Sequence, residues 1–168
     1  RQEYATKDVR HILFKVDESA LDSEAETYEA DLQAAKDAAK TAAEDALAQW
    51  KAGEATEDSF AALANELSAD AGSNTNGGLY TKIYKNQMVT EFNDWCFDAS
   101  RQSGDTGIVY GESSNYKGYH VIYFVGDDVP YWQVQAENAL RNTDTEAWLD
   151  GLLDSADVVQ EAGMKHVG

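Results

Sequence analysis

Cysteine, proline, histidine and basic residues are all scarce in this chain of 168 residues, and each scarcity excludes something. The one cysteine, Cys96, cannot close an internal disulfide. Set in the apolar stretch "DWCFD", it reads as a small buried hydrophobe rather than a nucleophile. Thirteen Lys and Arg against 31 Asp and Glu leave a formal net charge of −18. A nucleic acid or an anionic membrane surface would meet repulsion rather than counterion release, so neither is expected as a partner. No apolar run approaches the ~18 residues of a membrane span, and direct membrane insertion is not expected of this segment. The chain opens at Arg1 with neither an initiator methionine nor a signal-peptide pattern. That reads as a mature fragment or a cut piece whose targeting segment, if any, lies upstream.

What is present suffices for one ordinary core: 43% hydrophobic residues, with 4 Trp, 9 Tyr and 5 Phe. A strand is expected at 9–16. Residues 19–51 place Leu21, Ala25, Tyr28, Leu32, Ala35, Ala39, Ala42, Ala46 and Trp50 at helical spacing, ended by Gly53. Thr56 caps a second helix, with Glu57 and Asp58 in its first turn and Phe60, Leu63, Ala64 and Leu67 on its apolar face. The stretch "SADAGSNTNGG" at 68–78 is a loop, "LYTKIY" a short strand, and Met88, Phe92, Trp95 and Cys96 share one face of a short helix. "GDTGIVY" and "GYHVIYFVG" are strands on either side of the polar turn "GESSNYK". The only proline, Pro130, interrupts the chain after the last strand. A helical pattern through Trp132, Ala136, Ala139, Leu140, Trp148 and Leu152 follows, then an extended tail, "DVVQEAGMKHV". These boundaries give a domain at 1–128 and a C-terminal helix and tail at 129–168.

Two of the three histidines, His11 and His120, stand inside the apolar first and last strands. Antiparallel neighbours bring opposed side chains about 4.5–5.5 Å apart, within reach of a shared hydrogen bond. Taken singly, they read as half-buried histidines satisfied by backbone, Met88 and Phe92 as core, and Asp70 as a turn residue in a Gly/Ser/Asn loop. His166 reads as a solvated surface residue and Lys15 as a solvated strand-end lysine.

The order of "VRHILF", "FAALANELSADAGS", "GGLY", "QMVTEF", "GDTGIV" and "GYHVIYFVG" resembles the parvulin-type peptidyl-prolyl isomerase (rotamase) domain over residues 7–126. Within that family the chain is most similar to the extracytoplasmic PrsA-type foldases of Gram-positive bacteria. The resemblance implies an α+β fold, a four-stranded antiparallel sheet surrounded by helices, here with a C-terminal helical appendage. It implies that His11 and His120 are the paired core histidines. Asp70 falls where the family places a cysteine or an aspartate beside the imide bond. Met88 and Phe92 would line the proline-ring pocket, and Tyr80 falls where a leucine usually completes it. The implied activity is non-covalent isomerisation of Xaa-Pro bonds in unfolded or exported polypeptides, outside the cytoplasm, with neither cofactor nor metal. The alternative is a chaperone or peptide-binding module of the same fold with little isomerase activity.

Some positions depart from the family. The loop "VDESALDSEAE" carries five acids and no Arg or Lys, which excludes the basic cluster of phosphate-requiring relatives. "GGLYT" replaces the "GGDLG" of many relatives, and Thr90 stands where proline is frequent. Ahead of the second histidine, relatives carry an aromatic or a serine where this chain has Lys117, with Tyr116 one place earlier. That slip predicts an aromatic moved off the pocket wall and weaker catalysis.

Overall fold

In strand β1 (Ala5–Lys15), alternation sends Val9 and His11 to one face and Ile12 and Phe14 to the other. Val9, His11, Ile12 and Leu13 are all buried, so β1 must be covered on both sides. The computed structural model, which describes residues 4–114 and 116–155, shows how. Helix α1 (Tyr28–Ala52), helix α2 (Glu57–Leu67), strand β2 (Leu79–Ile83), helix α3 (Thr90–Cys96), strand β3 (Thr106–Ser113), strand β4 (Tyr116–Pro130) and helix α4 (Tyr131–Ser155) follow in that order. The strands form one antiparallel sheet in the order β2-β1-β4-β3. This is the α+β architecture the resemblance implies. The tail expected at 157–167, with His166, lies outside the described residues.

The two sheet faces carry separate cores. Ile12, Val121 and Tyr123 pack with Ala43, Ala46 and Trp50 of α1 and Phe60, Leu63 and Ala64 of α2. On the other face Val9, Ile122 and Phe124 pack with Phe92 and Cys96 of α3. The short α3 therefore leaves part of its face of the sheet open, and the histidines point there.

Local chemistry accounts for most boundaries. Thr56 and Ser59 exchange side-chain-to-backbone hydrogen bonds in a capping box that starts α2. Helix α1 begins nine residues later than the apolar periodicity from Ser19 suggests. The carboxylates of Asp17 and Asp22 accept from the backbone N–H groups of Ser19 and Glu24, and such turns compete with helix. Strand β4 runs past the expected end at 126, because its pairing with β1 continues through Lys7↔Asp127 to Ala5↔Pro130.

Beyond Arg10, β2 no longer pairs with β1. The loop at 68–78 takes over that edge: the Leu13 N–H donates to Ser68 Oγ, the Leu13 carbonyl accepts from the Ala69 N–H, and the His11 N–H donates to the Gly78 carbonyl. At Gly78, φ is +69° and an added Cβ would lie 2.2 Å from the His11 carbonyl oxygen, so only glycine fits. This edge contact sets Asp70 beside His11.

The chain divides into two compact units, one running to Tyr131 and one beginning at Trp132. In the second unit, the Thr143 and Thr145 hydroxyls of α4 donate back to the Ala139 and Arg141 carbonyls.

Candidate active site

Register places His11 opposite Ile122 and Leu13 opposite His120, so the two histidines meet across a diagonal of the β1–β4 ladder rather than directly opposite. Their rings stack at 5.2 Å between centroids, with Nδ1 to Nδ1 at 3.1 Å. The other nitrogen of His11, Nε2, lies 3.0 Å from Asp70 Oδ2. That oxygen also accepts from the Ser73 hydroxyl at 2.5 Å and the Tyr80 hydroxyl at 3.0 Å. At the far end, His120 Nε2 lies 3.0 Å from the Tyr116 hydroxyl. A continuous hydrogen-bonded chain thus runs from Tyr80 and Ser73 through Asp70, His11 and His120 to Tyr116. Gly111 of β3 makes room for it, since a Cβ there would come within 3.1 Å of His120 Nε2.

The hydrogen bond from His11, with further ones from Ser73 and Tyr80, holds the Asp70 carboxyl well below the usual carboxylate range against its partial burial. Burial, then the hydrogen bond to Asp70 and that group's charge, pushes the Tyr80 phenol up to about 12. Burial is also the main reason His120 is lowered to about 3, with the neighbouring His11 adding to it. At neutral pH the chain therefore contains one anion, Asp70, and a neutral His120.

This chain of groups forms one wall of a groove of about 300 Å³. Leu13, Met88, Val89 and Phe92 supply apolar surface, and Lys15 and Gln87 complete the lining. Phe92 is fully buried and meets both imidazoles edge-on, at 5.7 Å from His11 and 5.3 Å from His120. Met88 precedes α3 instead of lying on it, and is half-buried at the groove.

A family model described as the PPIC-type PPIASE domain (Rotamase) matches residues 11–126. The chain belongs to that family. That description is of a peptidyl-prolyl isomerase (rotamase) domain. No curated protein matches the chain. Among solved structures, it is similar to the peptidylprolyl isomerase PrsA from Bacillus cereus, with 24% identity and a TM-score of 0.48 over 94% of this chain and 53% of that one. It is also similar to a structure from work on PEB4 and the periplasmic protein Cj1289, described as SurA-like chaperones of Campylobacter jejuni. There the identity is 23% and the TM-score 0.47, over 94% of this chain and 56% of that one. The chain spans about half the length of each.

All six residues expected at the site, His11, Asp70, Tyr80, Met88, Phe92 and His120, line the one groove. Two expectations change. Tyr80 does not simply substitute for an apolar wall residue, since its hydroxyl donates to Asp70. Tyr116 is not displaced: four residues before His120 in a strand, it points to the same face and lines the groove. Lys117 points away and pairs with Glu18 at 2.7 Å. Ser73 and Tyr116 are the members that sequence reasoning missed. For Tyr116 the period-2 spacing from His120 was available as a signal, while Ser73 gives none without the path of its loop. Among the described residues no cluster of three His, Cys, Asp or Glu could hold a metal ion.

Proposed function

We propose that this groove isomerises Xaa-Pro bonds in unfolded, exported polypeptides, by a non-covalent route and without need of a phosphate. The observation that carries the reading is the juxtaposition of the Asp70–His11–His120 chain with the apolar Met88–Val89–Phe92 surface in a single groove. Rotation about the imide C–N bond meets a barrier of about 18–20 kcal/mol because resonance gives it double-bond character. Cis and trans differ little in energy for Xaa-Pro, so only the barrier has to fall. Resonance also puts partial charge on the planar amide, and the twisted amide carries less. A cup that grips the ring in poorly hydrated surroundings therefore favours the twisted form, and each ~1.4 kcal/mol of that preference is tenfold in rate.

Met88 and Phe92 hold the proline ring in this reading, with Tyr80 closing the Asp70 side. His11, Asp70 and His120 keep the opposite wall fixed and polar where the carbonyl swings. Asp70 has no thiol to attack with, and its ionised carboxylate is occupied by four hydrogen bonds. That supports rotation without a covalent intermediate. Export rests on the order of motifs shared with extracytoplasmic foldases, and no described helix is long and apolar enough to cross a membrane. Lys117 pairs with Glu18 and leaves the groove wall to Tyr116, which favours catalysis over a binding module without activity.

Cis-to-trans rates on a panel of unphosphorylated Xaa-Pro peptides test the proposal. Acceleration across several residues before proline is expected. Tight peptide binding with uncatalysed rates throughout would instead make this a binding module.

A further inference from the structure

The hydrogen-bonded chain has a direction that its ends determine. Asp70 is ionised and can only accept, and its Oδ2 already takes protons from Ser73 and Tyr80. A bare His11 Nε2 placed 3.0 Å from that oxygen would set lone pair against lone pair, so Nε2 carries the hydrogen. With a single hydrogen on the His11 ring, Nδ1 is then bare and must accept. His120 Nδ1, at 3.1 Å, supplies the hydrogen, which leaves His120 Nε2 bare. The Tyr116 hydroxyl, at 3.0 Å, has one proton and donates it there. With one hydrogen on each ring, the Asp70 carboxylate at one end and the Tyr116 hydroxyl at the other give every bond in the series one donor and one acceptor.

We propose that Tyr116 is a positioning residue of the isomerase: its hydroxyl holds His120 in the Nδ1–H tautomer and so keeps the His120–His11–Asp70 bonds in register. The inference uses the isomerase reading only for the rate it affects. Strand alternation puts Tyr116 on the groove face with His120, and the phenol is the one donor that reaches His120 Nε2 among the described residues. Without it the bare nitrogen loses its partner. His120 then gains nothing from staying in one tautomer beyond its bond to His11.

Imidazole ¹⁵N shifts of the full chain at about pH 8, where an ordinary histidine near 6.5 is neutral, read this directly. Wild type is expected to show His120 protonated at Nδ1 alone and His11 at Nε2 alone. Tyr116→Phe keeps the ring on the wall and removes the proton donor. The His120 Nε2 signal should move towards that of an unbonded nitrogen, both His120 tautomers should populate, and kcat on an Ala-Pro peptide should fall about three- to tenfold with a smaller change in KM. Tyr116→Leu separates this from simple wall-filling. The proposal predicts the same tautomer change in both variants, whereas a wall residue would leave Phe like wild type and raise KM in Leu alone. Unchanged His120 nitrogen shifts in Tyr116→Phe, or a wild-type His120 protonated at Nε2, would overturn it. The spectra need no substrate, so a wild type inactive on peptides would overturn the isomerase reading and leave the shifts to decide this one.

Discussion

Burial beneath the groove and the neighbouring His11 hold His120 neutral down to about 3, against ~6.5 in an unfolded chain. Between those values the unfolded state binds the extra proton, so stability falls as pH falls, by about 1.4 kcal/mol per pH unit for this group. The contribution is complete above about 6.5 and lost on acidification towards 3. Urea midpoints measured from about pH 7 to pH 5 should fall less steeply in His120→Gln than in wild type, and equal slopes would contradict the assignment. Substitution in the groove divides by burial. Phe92 is fully buried, so Phe92→Ala should cost about 3–5 kcal/mol of stability as well as most of the activity. Asp70→Cys should keep more kcat/KM than Phe92→Ala, because position 70 tunes polarity while the ring grips. A Phe92→Ala variant that is fully active would sink the pocket assignment. His11, Asp70 and His120 were legible because motif order located them. Tyr116 was not, because "GESSNYK" reads as a polar turn and put the residue outside the strand that aims it.

At the scale of elements, the edge of β1 decides whether Asp70 reaches His11. Gly78→Ala forces a side chain into the left-handed region and against the His11 carbonyl, and should cost about 1–3 kcal/mol or more, with a matching loss of kcat. Thr56→Ala removes the α2 capping box on the other face of the sheet. It should cost about 1 kcal/mol in urea unfolding while kcat/KM stays unchanged. A Gly78→Ala protein as stable and active as wild type would show that the loop does not position the site. The α2 cap, the glycine end of α1 and the strand cores could be read locally because local chemistry sets them. The late start of α1 follows from aspartate turns that override apolar periodicity. The extension of β4 to Pro130 follows from pairing with Ala5 and Lys7, which turn-forming Gly126, Asp127 and Asp128 conceal. The handover of the β1 edge from β2 to a loop is tertiary, and no period in the sequence reports it.

For the whole molecule, a net charge of −18 sets which substrates approach. Of the five acids after β1, Glu18 is tied to Lys117, and Asp17, Asp22, Glu24 and Glu26 remain to oppose the single groove lysine, Lys15. A phosphoserine before proline adds about −1.5 to −2 of charge, so phosphorylated peptides should turn over more slowly than their unphosphorylated counterparts. Added salt should narrow that gap, since exposed charges are screened over about 8 Å at physiological ionic strength. A preference for phosphopeptide would overturn the substrate assignment. Exchange between the cis and trans signals of an unphosphorylated Ala-Pro peptide tests the central claim most directly, with wild type and Met88→Ala compared at equal concentration. Met88 is only half-buried, so its removal opens the ring cup while costing less stability than Phe92. The account predicts exchange well above the uncatalysed rate with wild type and about a tenfold loss of kcat/KM in Met88→Ala. Exchange at the uncatalysed rate with wild type, or equal catalysis by the two proteins, would contradict it.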